Sequence, residues 1–90
     1  TEVEEALVAI PGVRNAVVFG RELESGDQGI IAVAETDRSD VRALLAECRG
    51  RLPAYMVPHE IICEREFPKT ANGKIDRSFL KSKWQGGVNG

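Results

Sequence analysis

Ile30-Ile31-Ala32-Val33-Ala34-Glu35, then Val41 to Leu52, then Glu60-Ile61-Ile62-Cys63-Glu64-Arg65-Glu66 is the stretch that decides the fold. The first segment is an unbroken apolar run with β-branched residues, which predicts a buried strand. In the second, Val41, Leu44, Leu45, Cys48 and Leu52 recur at helical spacing and make one apolar stripe. Ser39 or Asp40 can cap that helix. Pro53 stops it, and Pro58 confines the next residues to extended or turn backbone. The third segment is another short apolar run, a third strand. Strand, helix, strand predicts a right-handed crossover and a parallel pairing with an earlier strand.

Outward from this unit, Val3, Ala6, Leu7 and Ile10 fall on one face of an N-terminal helix. Thr1 with Glu4 has the form of a capping box, and Pro11-Gly12 ends the helix. Val13 to Arg21 reads as a buried strand, and Ser25-Gly26-Asp27-Gln28-Gly29 is turn chemistry. The strands on either side of that turn are expected to pair antiparallel. Downstream, Pro68 to Lys74 is a loop with a sharp Asn72-Gly73 turn. Asp76 can cap a last short helix that buries Phe79 and Leu80. The expected whole is an α+β domain: a small three-stranded sheet with flanking helices, plus a short hairpin-like lysine loop. Its expected core is Leu7, Ile10, Val17, Phe19, Ile31, Val33, Leu44, Leu45, Leu52, Ile61 and Phe79. The domain is expected over residues 1–83, with 84–90, polar and glycine-rich, as a flexible tail or linker.

Ninety residues make one domain at most. Apolar residues at 42% and charged residues at 29% are ordinary globular composition. No apolar run approaches the roughly 18–20 residues needed to span a bilayer, and none has signal-peptide order. The net charge of −2 argues against general nucleic-acid binding. The charge is uneven, however. Lys69, Lys74, Arg77, Lys81 and Lys83 face one acid, Asp76, across the last basic segment. Such an end is either a solvated face or a phosphate-facing surface. Cys48 and Cys63 sit in apolar-periodic segments and read as small buried hydrophobes of a reduced, cytoplasmic protein rather than a disulfide. Their spacing fits no metal site, and His59, the lone histidine, has no partner motif.

There is no paired-carboxylate signature, no nucleophile with a base and no phosphate-binding glycine loop. The chain does not read as a complete enzyme. One segment is unusual. Lys74 follows Asn72-Gly73 at a tight turn between apolar elements. Such a turn can hold a lysine away from its own domain, and an ammonium is a compact charge with three donors suited to phosphate or carboxylate oxygens. Lys69 and Thr70 lie on the same loop. The turn equally reads as a plain hairpin with a solvated lysine.

Arg51-Leu-Pro-Ala-Tyr-Met-Val-Pro58, followed by Phe67-Pro-Lys-Thr-Ala-Asn-Gly-Lys-Ile-Asp-Arg-Ser-Phe-Leu80, resembles the last two core motifs of adenylation domains. These occur in the superfamily of acyl-CoA synthetases, nonribosomal peptide synthetase adenylation domains and luciferases. The opening, Thr1 to Val13, is similar to the stretch just after that family's hinge. The resemblance covers Thr1 to about Lys83, with two long motifs in order at the family's separation. The Asn-Gly-Lys form of the turn leans toward the peptide-synthetase branch.

The resemblance implies the C-terminal lid subdomain of an ATP-dependent carboxylate-activating ligase. In such enzymes a carboxylate attacks the α-phosphate of ATP, and the acyl-adenylate then passes to a thiol of coenzyme A or a phosphopantetheinyl carrier protein. Lys74 matches the lysine that reaches from the lid to the substrate carboxylate and phosphates. Positive charge placed in advance suits the attack of an anion on a polyanion. The lid then rotates to present another face for thioester formation. Lys69, Thr70, Asn72, Gly73, Asp76 and Arg77 are implied as the supporting loop. Tyr55, Met56 and Pro58 read as packing. The implied partners are an N-terminal adenylation core domain, the carboxylate and ATP, and the thiol acceptor, with neither nucleic acid nor membrane. ATP and Mg²⁺ belong to the parent's core, so this segment alone is expected to carry no cofactor and to be inactive. The competing reading is a carrier-protein or protein-docking module, whose effect would spread over Lys69, Arg77, Lys81 and Lys83.

Overall fold

The computed structural model describes residues 2–84. The expected Thr1 cap and the expected tail beyond Trp84 lie outside the described residues. Helix α1 (Glu2–Val8) is followed by β1 (Val13–Glu22), β2 (Gln28–Thr36), α2 (Val41–Arg51), a single 3₁₀ turn (Ala54–Met56), β3 (Glu60–Glu64) and α3 (Arg77–Trp84). The three strands form one sheet in the order β1-β2-β3, with β2 central. β1 pairs antiparallel with β2, placing Val17 opposite Val33 and Phe19 opposite Ile31. β3 returns through α2 and lies parallel to β2, with Ile61 opposite Ala32.

Because side chains alternate along a strand, the central strand feeds two separate cores. Ala32 and Ala34 face α1 and α2, where Leu7, Ile10, Leu44, Cys48 and Ile61 pack. The small alanines let the helices approach the sheet. Leu7 and Leu44 are completely buried there, each stabilising the fold by about 1.5–3 kcal/mol relative to exposure. Val33 faces the other way and joins Val17, Phe19, Phe67 and Leu80, with Ile62, Ile75 and Trp84 half-buried around them. The second core is roofed by the chain after β3, the segment that carries Lys74.

Several expectations need correction. Phe79 is not core: it is 53% exposed, and its neighbour Leu80 is fully buried in its place. On this eight-residue helix Leu80 takes the inward position, and Phe79, about 100° away round the axis, faces out. Phe67, outside the expected core, is 2% exposed. Leu45 and Leu52 pack against the first core half-buried. Cys63 is likewise half-buried, while Cys48 is buried, and both are free thiols. Asp40 occupies the position before α2, but its side chain makes no capping bond. Its carboxylate is held instead by Arg38, at 3.0 and 2.8 Å. Trp84, expected at the start of the linker, is the last residue of α3.

Candidate functional site

The segment from Phe67 to Arg77 forms a short hairpin. Lys69 and Ile75 pair as an isolated antiparallel bridge. The Asp76 N–H donates to the Pro68 carbonyl at 2.9 Å and the Thr70 N–H to the Lys74 carbonyl at 2.7 Å. At the tip the Gly73 N–H donates to the Thr70 carbonyl at 2.9 Å, closing a turn over Ala71 and Asn72. A two-residue Asn-Gly turn needs positive φ at both residues. Among the described residues only glycines have positive φ, and in this loop that is Gly73, at 84°. The tip is therefore the longer turn that ends in a left-handed glycine. The Thr70 hydroxyl accepts from the Lys74 N–H at 3.3 Å and fastens the residue after the glycine.

This geometry places the expected residues in distinct roles. Lys74 is exposed at the tip, and among the described residues no carboxylate pairs with its ammonium. Lys69 and Asn72 are also exposed on the hairpin. Asp76 caps α3: its Oδ1 accepts from the Phe79 N–H at 3.0 Å. Arg77 points away from the tip to α1, donating to Glu4 at 3.2 and 3.4 Å. Two lysines are thus exposed on a hydrogen-bonded hairpin, Lys69 on its stem and Lys74 at its tip, while the arginine three residues after Lys74 bonds Glu4. Lys83, also in the basic end, pairs with Glu64 at 3.3 Å.

Two site-supporting residues escape sequence reading. Glu35, 5% exposed on the central strand, accepts from Asn15 Nδ2 at 2.6 Å and from the Phe67 N–H at 2.8 Å. Burial, the largest influence on its carboxyl, pushes it up. Those two donors, with the charges of Lys69 and Arg14, outweigh burial and hold it below the ordinary glutamate range. Glu4 accepts from the Val18 N–H of edge strand β1 at 3.1 Å as well as from Arg77. The apolar strand pattern does not mark Glu35, and the sequence marks Glu4 only as a capping-box residue, because the partners they take, Phe67, Asn15, Val18 and Arg77, come from distant sequence.

Among the described residues no three of His, Cys, Asp and Glu come together to hold a metal. No helix there is long and apolar enough to cross a membrane.

The model of the AMP-binding enzyme C-terminal domain matches residues 2–74, and the chain belongs to that family. Among relatives, a dimodular nonribosomal peptide synthase of Bacillus subtilis is 42% identical over 84 residues, which is 88% of this chain and 3% of that protein. Among solved structures, holo-AB3403, a four-domain nonribosomal peptide synthetase bound to AMP and glycine, superposes with a TM-score of 0.74 at 39% identity. That match covers 86% of this chain and 6% of the other. The fatty acyl CoA synthetase of Mycobacterium tuberculosis gives a TM-score of 0.79 at 25% identity, covering 93% and 17%. The chain thus spans only a few per cent of the peptide synthetases that it resembles in sequence.

Proposed function

We propose that this domain is the rotating C-terminal lid of an ATP-dependent ligase that forms acyl- or aminoacyl-adenylates, and that Lys74 is its adenylation lysine. In the adenylation step a carboxylate oxygen bonds to the α-phosphorus of ATP, and the bond from that phosphorus to pyrophosphate breaks. Negative charge gathers on the phosphate oxygens as this happens. A lysine fixed beforehand at that place stabilises the charge without reorganising, and losing one such group costs about 10²–10³ in rate. The observation that carries the reading is the exposed Lys74, without a carboxylate partner among the described residues, at the tip of a hydrogen-bonded hairpin. ATP and Mg²⁺ would be held by a preceding core domain, and the residues of this chain would contribute only the lysine and its mount. After adenylation the lid would turn, withdraw Lys74 and admit the thiol of a phosphopantetheinyl carrier or of coenzyme A. The strong likeness to peptide synthetases favours the carrier.

The test is ATP–pyrophosphate exchange by the full-length synthetase, wild type against Lys74→Ala, with thiol transfer from a supplied acyl-adenylate measured alongside. Exchange should fall about 10²–10³-fold while transfer survives. Intact exchange in Lys74→Ala would reduce the hairpin to a plain turn and favour a docking module using Lys69, Arg77, Lys81 and Lys83.

A further inference from the structure

The Lys74 hairpin is mounted on the domain at both ends of its stem, and both mounts are carboxylates from elsewhere in the fold. The incoming strand is held at Phe67, whose N–H donates to buried Glu35 at 2.8 Å. The outgoing strand is held at Arg77, whose guanidinium bonds Glu4 at 3.2 and 3.4 Å. Each mount is itself anchored. Asn15 fixes the Glu35 carboxylate from β1, and the Val18 N–H fixes Glu4. The two anchors, Asn15 and Val18, lie on one strand, β1, so both ends of the stem refer to the same sheet edge.

Resting on the lid reading above, we infer that Glu35 and Glu4 are positioning residues for adenylation, acting through Lys74 and touching no substrate. The physical need is clear. A lysine at a hairpin tip multiplies any tilt at the stem, and a displacement near 1 Å costs roughly 10²-fold when a group must meet a reacting centre. A buried carboxylate costs desolvation free energy that an apolar residue on a central strand would not. Glu35 is kept ionised by its donors, and one of these is the backbone at the root of the hairpin. Glu4 lies in α1, so the hairpin is tied to a helix on the far side of the sheet from Leu80 and Phe67.

The experiment uses the full-length synthetase and measures kcat for pyrophosphate exchange in Glu35→Ala, Glu35→Gln and Glu4→Gln, each alone and combined with Lys74→Ala. Glu35→Ala should lower kcat about 10- to 100-fold with little change in KM. Glu35→Gln keeps an acceptor for the Phe67 N–H and should recover most of that loss. Glu4→Gln keeps the acceptor for Val18 but breaks the charge pair with a half-exposed arginine, so about 2- to 5-fold is expected. In the Lys74→Ala background all three should cost nothing further, since their route runs through the missing ammonium. Equal losses with and without Lys74 would mean general destabilisation and overturn the inference. Full activity of the glutamate variants beside an inactive Lys74→Ala would also overturn it and leave the lid reading standing. An active Lys74→Ala would overturn both. Should Glu35→Ala fail to fold, Glu35→Gln and Glu4→Gln decide the matter by the same non-additivity.

Discussion

The indole N–H of Trp84 donates to the Glu64 carboxylate at 2.5 Å, tying the last turn of α3 to the last residue of β3. The Trp84 carbonyl also accepts from Arg21 on β1 at 2.6 Å. The end of the last helix is therefore stitched to both edge strands across the second core. Trp84→Phe should cost about 1.5 kcal/mol, the low end for a bond to a charged acceptor, because Lys83 remains beside Glu64. Trp84→Ala should cost about 3 kcal/mol, since packing is lost as well. Denaturant unfolding of the domain measures both. A Phe variant within about 0.5 kcal/mol of wild type would show that the bond adds nothing to stability.

Phe79 and Leu80 are consecutive apolar residues with opposite fates. Leu80 is fully buried in one core with Phe67, Val17, Phe19 and Val33, so Leu80→Ala should destabilise by about 2–5 kcal/mol. Phe79 is half-exposed, and Phe79→Ser should stay within about 0.5 kcal/mol in thermal or denaturant unfolding. A large loss for Phe79→Ser would mean that the second core extends further round α3 than the packing places it.

This pair also marks how far local pattern reaches. Helical periodicity in Val41 to Leu52 and the apolar runs of the strands are local properties, so the α+β order, the antiparallel hairpin and the parallel return of β3 were legible in the sequence. That a tight turn precedes Lys74 and that Asp76 caps α3 were legible too, as short-range chemistry, but the turn's form was not, since it runs over Ala71 and Asn72 and ends on left-handed Gly73. What was not legible depends on partners far along the chain. Phe67 is core only because a hairpin roofs the sheet. Asp40 leaves its helix uncapped because Arg38, pinned by the Pro11 carbonyl at 2.8 Å, captures its carboxylate. Glu35 looks like the solvated end of a strand until Asn15 and Phe67 are brought to it.

Acid should loosen the hairpin before it unfolds the domain. At Glu4, as at Glu35, burial is the largest influence and raises the carboxyl. The hydrogen bond from Arg77, the Val18 N–H and the Arg77 charge outweigh it and hold Glu4 below its ordinary value of 4.5. Both glutamates thus bind protons less readily in the folded state. Their contribution is fully present above pH 4.5 and is lost as pH falls from there through the depressed folded values. The unfolding midpoint should be flat near neutrality and fall below that point, with a shallower fall in Glu35→Gln. Amide exchange at Phe67 and Thr70 should rise first. An acid limb unchanged in Glu35→Gln would mean that other carboxylates carry the transition.

Gly73 separates the conformation of the tip from the stability of the domain. Its φ is 84°, and a Cβ there meets nothing within 4 Å, so a side chain would be penalised by backbone conformation alone. That penalty is about 1–2 kcal/mol for an L-residue, less for Asn and more for a β-branched one. The tip is exposed at the end of a short stem, so the chain can relieve the strain by reshaping residues 70–74 without disturbing either core. Unfolding midpoints of Gly73→Asn, Gly73→Ala and Gly73→Val should therefore move little. Pyrophosphate exchange by the full-length synthetase should instead fall in the order Gly, Asn, Ala, Val, with Ala down about 5- to 30-fold, as the penalty converts into lost population of the working tip. Stability and exchange falling together would locate the effect in the fold. Exchange falling alone would mean that the left-handed glycine exists to aim the lysine that follows it.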